Sequence, residues 1–218
     1  MAYAAPSVTR RAVSDENRQR DRERTRQKIF DAAAEVFAEK GFAGARVEEI
    51  ARRAGVNRQL ISYYFEGKEG LYQAVLRYDP PDPVGVDETT EVADIVARYA
   101  RLVADDPKWV RLLVWDGLHD RMADDEWRAE RYRMDVAKVK QRQQSGDVDP
   151  DLDPGLTFFA VHVLTMAPYI FPQIARMLSG SDPSSPEFRE RYEAFVRTVT
   201  DRIITDPGAR QCAEPSAP

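Results

Sequence analysis

The sequence predicts an all-α protein: an N-terminal three-helix helix-turn-helix unit followed by a larger C-terminal helical bundle. Three observations carry that prediction. Apolar residues recur at the three-to-four-residue period of helices, and no convincing two-residue alternation of strand type occurs. Glycine and proline breakers cut the 218 residues into about nine helix-length pieces with short connections. Charge is unevenly divided as well: residues 1–80 hold 15 Lys/Arg and 12 Asp/Glu, residues 81–218 hold 17 and 25, and the whole chain carries −5. That balance excludes a uniformly basic nucleic-acid coat, and a basic head on an acidic body confines polyanion contact to the head.

Residues 1–14 read as a tail, and residues 10–28 carry eight basic groups against four acids. This stretch is either a solvated helix of alternating sign or an arm that lies against DNA. The first packed helix shows Ile29, Ala33, Val36 and Phe37 on one face and ends at Gly41. In the second, Val47, Ile50, Ala51 and Ala54 fall at i, i+3, i+4 and i+7, and Ala51 leaves room for a close crossing. Gly55 can take the left-handed conformation that turns the corner, Val56 plugs it, and Asn57 caps the next helix. That helix, about 58–64, buries Leu60 or Ile61 with Phe65 and leaves Arg58, Gln59, Ser62 and Tyr63 outward.

Two short helices joined by a glycine turn place the second in the major groove. The outward residues suit that place. Arg58 can bond guanine O6 and N7, Gln59 can bond adenine N6 and N7, and Ser62 can reach a base edge or a phosphate. The hydroxyls of Tyr63 and Tyr64 can hold phosphates, although Tyr64 and Phe65 suit a core equally well. Lys68 opens a further helix, where its ammonium and the free amides can hold a phosphate together. Arg46 and Val47, at the start of the second helix, complete the expected DNA face. Arg52 and Arg53 read as solvated charges.

Residues 29–76 resemble the tetracycline-repressor (TetR) family of bacterial transcription regulators. The resemblance rests on Ala33, Phe37, Gly41 and Phe42, on the run from Ile50 to Val56, and on Tyr64, Phe65, Lys68 and Leu71. It implies a homodimer that reads a palindromic operator in double-stranded DNA and a body that binds a small-molecule inducer. Two positions depart from the family pattern. Arg46 stands where a capping Ser or Thr is usual, and Ser62 where Tyr is frequent, so Tyr63 inherits a phosphate contact.

The run Asp79–Pro83 ends the head, giving a DNA-binding unit over 15–79 and a body over 80–205, with a second tail at 206–218. Body helices are expected at 88–105, 107–120, 124–144, 154–178 and 186–205. The 154–178 helix is apolar around most of its circumference, and Pro168 and Pro172 should kink it or end it early. Family resemblance puts the dimer at the last two helices, with Val163, Ala167, Phe171, Ile174, Tyr192, Phe195 and Val199 as its candidate face. A ligand cavity would be lined from Tyr99, Trp109, Trp115, His119, Trp127, Tyr132, Phe158, His162 and Met166, residues that otherwise form ordinary core.

Other chemistries find little support. Asp147, Asp149, Asp151 and Asp153 lack the glycine and glutamate of a calcium loop, and Asp116 with His119 supplies too few ligands for a metal. No phosphate loop, nucleophile elbow or cysteine nucleophile is recognisable, so neither cofactor nor metal is expected. The lone Cys212 and the lack of a signal peptide or spanning segment point to the cytoplasm. The expected function is a ligand-responsive transcriptional regulator, a repressor released by its inducer. The rival is an all-α enzyme or small-molecule carrier whose head binds protein.

Overall fold

The computed structural model describes residues 8–78, 89–119 and 125–203, and among these it contains ten α-helices and no strand. They are α1 (Val8–Gly44), α2 (Val47–Ala54), α3 (Gln59–Phe65), α4 (Lys68–Leu76), α5 (Val92–Asp105), α6 (Lys108–His119), α7 (Glu126–Ser145), α8 (Pro154–Ile170), α9 (Pro172–Ser179) and α10 (Pro186–Ile203). The chain divides into two compact units, residues 1–78 and 79–218. The first seven residues, the proline run at 79–83 and the segment 206–218 with Cys212 lie outside the described residues. Residues 8–14, expected as tail, belong to α1.

In the first unit α1 supplies buried Ile29, Ala33, Val36 and Phe37, against which α2 sets Ile50 and Ala51, α3 Ile61, and α4 Leu71, Tyr72 and Val75. Phe37 meets Tyr72 edge-on at 4.9 Å, and Phe42 meets the same ring at 5.0 Å. The backbone of α1 leaves helical geometry at Gly41 (φ 64°), and one more turn follows. From residue 17 to residue 28 every side chain of α1 is exposed except half-buried Thr25. The packed half supplies the nucleus for this extension, and same-face bonds from Gln19 to Glu23 and from Gln27 to Asp31 support it.

The second unit is built on α5 and α10, which run antiparallel. Asp94 pairs with Arg197, Arg101 holds Glu193 in a fork at 2.7–3.0 Å, and Arg189 reaches Asp105 at 3.4 Å. Val96, Ala100 and Val196 form the buried seam, with Val161, Leu164 and Tyr192 packed against it.

Residues 154–178 form two helices where one was expected. Phe171 (φ −123°, ψ 59°) cannot stay helical ahead of Pro172, and α9 leaves α8 at 85°. Pro168, by contrast, sits inside α8 without ending it. Proline has no N–H to give the carbonyl four residues back, which here is Leu164. The Tyr192 hydroxyl donates to that Leu164 oxygen at 2.6 Å, so α10 satisfies the acceptor that Pro168 leaves open. No single helix among the described residues is long and apolar enough to cross a membrane; the bent α8–α9 pair meets the length and composition criteria only jointly.

Candidate nucleic-acid interface

The corner between α2 and α3 forms because Gly55 takes the left-handed conformation (φ 67°, ψ 35°) and Val56 donates back to the Ala51 carbonyl at 3.0 Å. Asn57 then accepts the Gln59 amide on its side-chain oxygen at 2.9 Å, satisfying one of the open donors of α3. Ile61 is fully buried, Phe65 nearly so, and Leu60 only half. The periodicity therefore turns Arg58, Gln59, Ser62 and Tyr63 to solvent, with Tyr63 68% exposed. Tyr64 is half-buried and meets Tyr63 edge-on at 4.9 Å. The polar face of α3 is thus available as a unit, with one tyrosine bracing the other.

A second close approach fixes α4 against the end of α3. A Cβ on Gly70 would stand 2.0 Å from the Phe65 carbonyl oxygen, so only glycine admits this crossing. It brings Lys68, the first residue of α4, near the end of α3, with its ammonium 4.3 Å from the Phe42 ring centroid. No side chain caps the α4 N-terminus, where Gly67 is the cap residue. The positive end of its dipole favours an anion beside Lys68.

Arg46 is exposed and makes no cap to α2. Glu48 lies in the first turn of α2, and its own backbone amide together with the Arg58 guanidinium holds its carboxyl below the usual carboxylate range. The Arg58 Nη1 to Glu48 Oε1 distance is 2.6 Å, and the two side chains are 68% and 64% exposed. Val47 is half-buried beside them.

Arg53 is not the solvated charge that the sequence suggests, although Arg52 is exposed. Arg53 forks onto Glu39 of α1 at 2.8 and 2.6 Å and reaches Glu49 at 2.8 Å, while Lys40 holds the other Glu49 oxygen at 2.5 Å. These pairs lower both glutamates and raise Arg53. They tie α2 to α1 and thereby set the angle at which α3 is presented.

Several of the candidate pocket residues meet one another. Tyr132, Phe158 and His162 meet, with Phe158 stacked on His162 at 5.4 Å and Tyr132 edge-on to it at 6.3 Å. Burial pushes the His162 imidazole below its ordinary value, opposed by the Asp135 charge. Trp115 and His119 pair at 5.9 Å, and His119 Nδ1 lies 2.8 Å from the Trp115 carbonyl. Met166 is buried and Trp109 half-buried beside Lys108, while Tyr99 and Trp127 are each 41% exposed.

Of the candidate dimer residues, Phe171, Ile174 and Phe195 are exposed, and Val163, Ala167 and Val199 are half-buried. Tyr192 is occupied within its own bundle, its burial raising the hydroxyl to about 12. Leu156 and Phe159, which belong to the same apolar helix face, are 69% and 64% exposed and complete the outer stripe of α8. With Ala160, Val163 and Ala167 they fall at helical spacing on one side. Glu48 and Gly70 are the residues that the sequence does not single out. The pairing of Glu48 with a residue ten positions later, and the approach at Gly70, become visible only once the turn is folded.

Comparison with known proteins agrees with this geometry. Residues 29–75 match the description "Bacterial regulatory proteins, tetR family", and residues 91–202 match "Tetracyclin repressor-like, C-terminal domain". The HTH-type transcriptional repressor SCO4008 of Streptomyces coelicolor is 34% identical over 191 residues, covering 84% of this chain and 98% of that one. The HTH-type transcriptional regulator SrpR of Pseudomonas putida is 31% identical over 151 residues, covering 63% and 70%. The solved structure of the regulator SCO4942 from Streptomyces coelicolor superposes with a TM-score of 0.65 at 27% identity, over 84% of this chain and 99% of that one.

Proposed function

The chain belongs to the tetR family of bacterial regulatory proteins, and we propose that it is a cytoplasmic repressor that binds a palindromic operator as a homodimer and leaves it when a small molecule occupies the body. The observation that carries the DNA half of this reading is the exposed row Arg58, Gln59, Ser62 and Tyr63 on a helix whose opposite face is sealed by Ile61 and Phe65. Arg58 and Gln59 read base edges, whereas Arg46, Tyr63, Tyr64 and Lys68 position the helix on phosphates and Val47 packs beside the backbone.

The dimer half is supported by the apolar stripe of α8 and by exposed Phe171, Ile174 and Phe195, surface that a lone protomer would leave in water. A two-fold axis through that face would relate the two operator half-sites by the same rotation, as in an inverted repeat. The ligand half is supported by the aromatic cluster of Tyr132, Phe158 and His162 between α7 and α8. A ligand there releases DNA only by binding the released state more tightly than the bound one.

Selection from randomised duplexes followed by sedimentation tests the proposal. The expected result is an inverted repeat bound by two protomers, with half-sites one helical turn or a multiple apart. Selected sites without two-fold symmetry, or one protomer per duplex, contradict it.

A further inference from the structure

We propose that Glu48 is the positioning residue for DNA readout: it pins the Arg58 guanidinium and holds a negative charge at the DNA face, so that the protein discriminates against random DNA. The inference rests on Arg58 being a base reader, as proposed above. Its basis is that Glu48 is held from two sides. The start of α2 lacks a capping side chain because Arg46 stands at the cap position, and Glu48 lies in that first turn. The favourable end of the α2 dipole acts on the same carboxylate. Across the Gly55 corner its Oε1 accepts Arg58 Nη1 at 2.6 Å.

A carboxylate so placed does two things at once. A guanidinium carries five donors in a rigid fork, so fixing one nitrogen orients the rest. Arg58 also stands at the very start of α3, in helical conformation (φ −51°, ψ −34°), which restricts it further. With Nη1 engaged on Glu48, the remaining donors can meet a base edge in one orientation, and the ordering cost is met before DNA arrives. Any phosphate that would take Arg58 away must displace Glu48 or lie beside its charge. A guanine edge offering two acceptors at a fixed spacing can be engaged without that exchange. Discrimination of this kind combines an attractive contact with a repulsive one.

The contrast with Arg53 narrows the role. Arg53 forks onto Glu39 and Glu49 on the side of α2 that faces α1, only 23% exposed, and serves to join helices. The Arg58–Glu48 pair joins nothing buried, so its contribution to folding is small. Its place on the exposed corner of the reading unit makes sense as a device acting on what α3 touches.

The test uses the full-length protein, the operator selected by the wild type, and a random-sequence duplex of equal length, with melting temperature as a folding control. Glu48→Ala is expected to bind random DNA several-fold more tightly, to lower the operator-to-random affinity ratio about tenfold, and to broaden base preference at the pair contacted by Arg58. Glu48→Gln keeps an acceptor for Nη1 and should retain most of the base preference while still gaining random-DNA affinity. The inference is overturned if Glu48→Ala shifts both duplexes by the same factor with base preference intact, for then Glu48 is only a background charge. Arg58→Ala separates the two ways of failing. If it leaves base preference unchanged, the assignment of Arg58 as reader falls and the inference falls with it; if it relaxes preference where Glu48→Ala does not, only the role of Glu48 is lost.

Discussion

At Gly70 the demand on one residue is steric. A methyl group there would stand 2.0 Å from the Phe65 carbonyl oxygen, and the obstacle is backbone rather than a flexible side chain. Gly70→Ala must therefore drive α3 and α4 apart. The expected outcome is a loss of stability at the upper end of single-substitution effects, several kcal/mol, with weakened DNA binding; an unchanged thermal melt would contradict the close approach. His162 makes a different demand. Burial against Phe158 and Tyr132 disfavours its charged form, so the unfolded chain binds a proton near its ordinary value of 6.5 that the folded chain refuses. The folded-state pKa is depressed, so this contribution is fully present above 6.5 and diminishes as pH falls below it. His162→Phe should flatten the fall in melting temperature on mild acidification relative to the wild type; parallel curves for the two proteins would contradict it.

Elements of this fold hold together through exchanges between helices as much as through periodicity. Tyr192 on α10 donates to the Leu164 carbonyl that Pro168 leaves without a helical partner. Tyr192→Phe leaves that half-buried carbonyl without its partner and should cost about 1 kcal/mol, whereas in a Pro168→Ala background the restored amide should make the same change nearly neutral. Equal cost in both backgrounds, measured by denaturant unfolding, would refute the exchange. Asp116 on α6 and Arg128 on α7 form a comparable link at 2.6 Å, with Asp116 only 4% exposed. Arg128→Met alone should cost about 3–5 kcal/mol by leaving a buried charge unpaired, and Asp116→Leu added to it should restore much of the loss. If the double variant is no more stable than the single one, the link is not what holds α6 to α7.

Such exchanges mark the limit of what the sequence discloses. The helical period located the helices and narrowed the inward face of α3 to Leu60 or Ile61 with Phe65, and Gly55 marked the corner, because each is a local consequence of neighbouring residues. The break at Phe171 was half legible in Pro172, since proline announces a boundary without giving its angle. Arg53 was misread because its partners Glu39 and Glu49 come from another helix and an earlier turn of its own. The bond from Tyr192 to the Leu164 carbonyl was not legible, because periodicity shows an aromatic on a helix face but not the carbonyl awaiting its hydroxyl.

For the whole molecule, the proposal joins a reading head to a paired body. The stripe from Leu156 to Ala167 on α8 is the surface that pairing would cover, and Leu156 and Phe159 are its most exposed members. Replacing both by Glu should leave the monomer folded but dissociated on sedimentation, with operator affinity lost because two half-sites are no longer held together. A dimer that survives both charges would move the interface elsewhere.

The most direct measurement on the central claim, that α3 reads bases while α4 anchors the phosphate backbone, compares Arg58→Ala and Lys68→Ala on selected and random duplexes across a salt series. Arg58→Ala should lose about five- to a hundred-fold on the selected operator, with broadened base preference. Lys68→Ala should weaken both duplexes alike and reduce the salt slope by about one. Equal losses from both substitutions on both duplexes, with base preference intact, would contradict that claim.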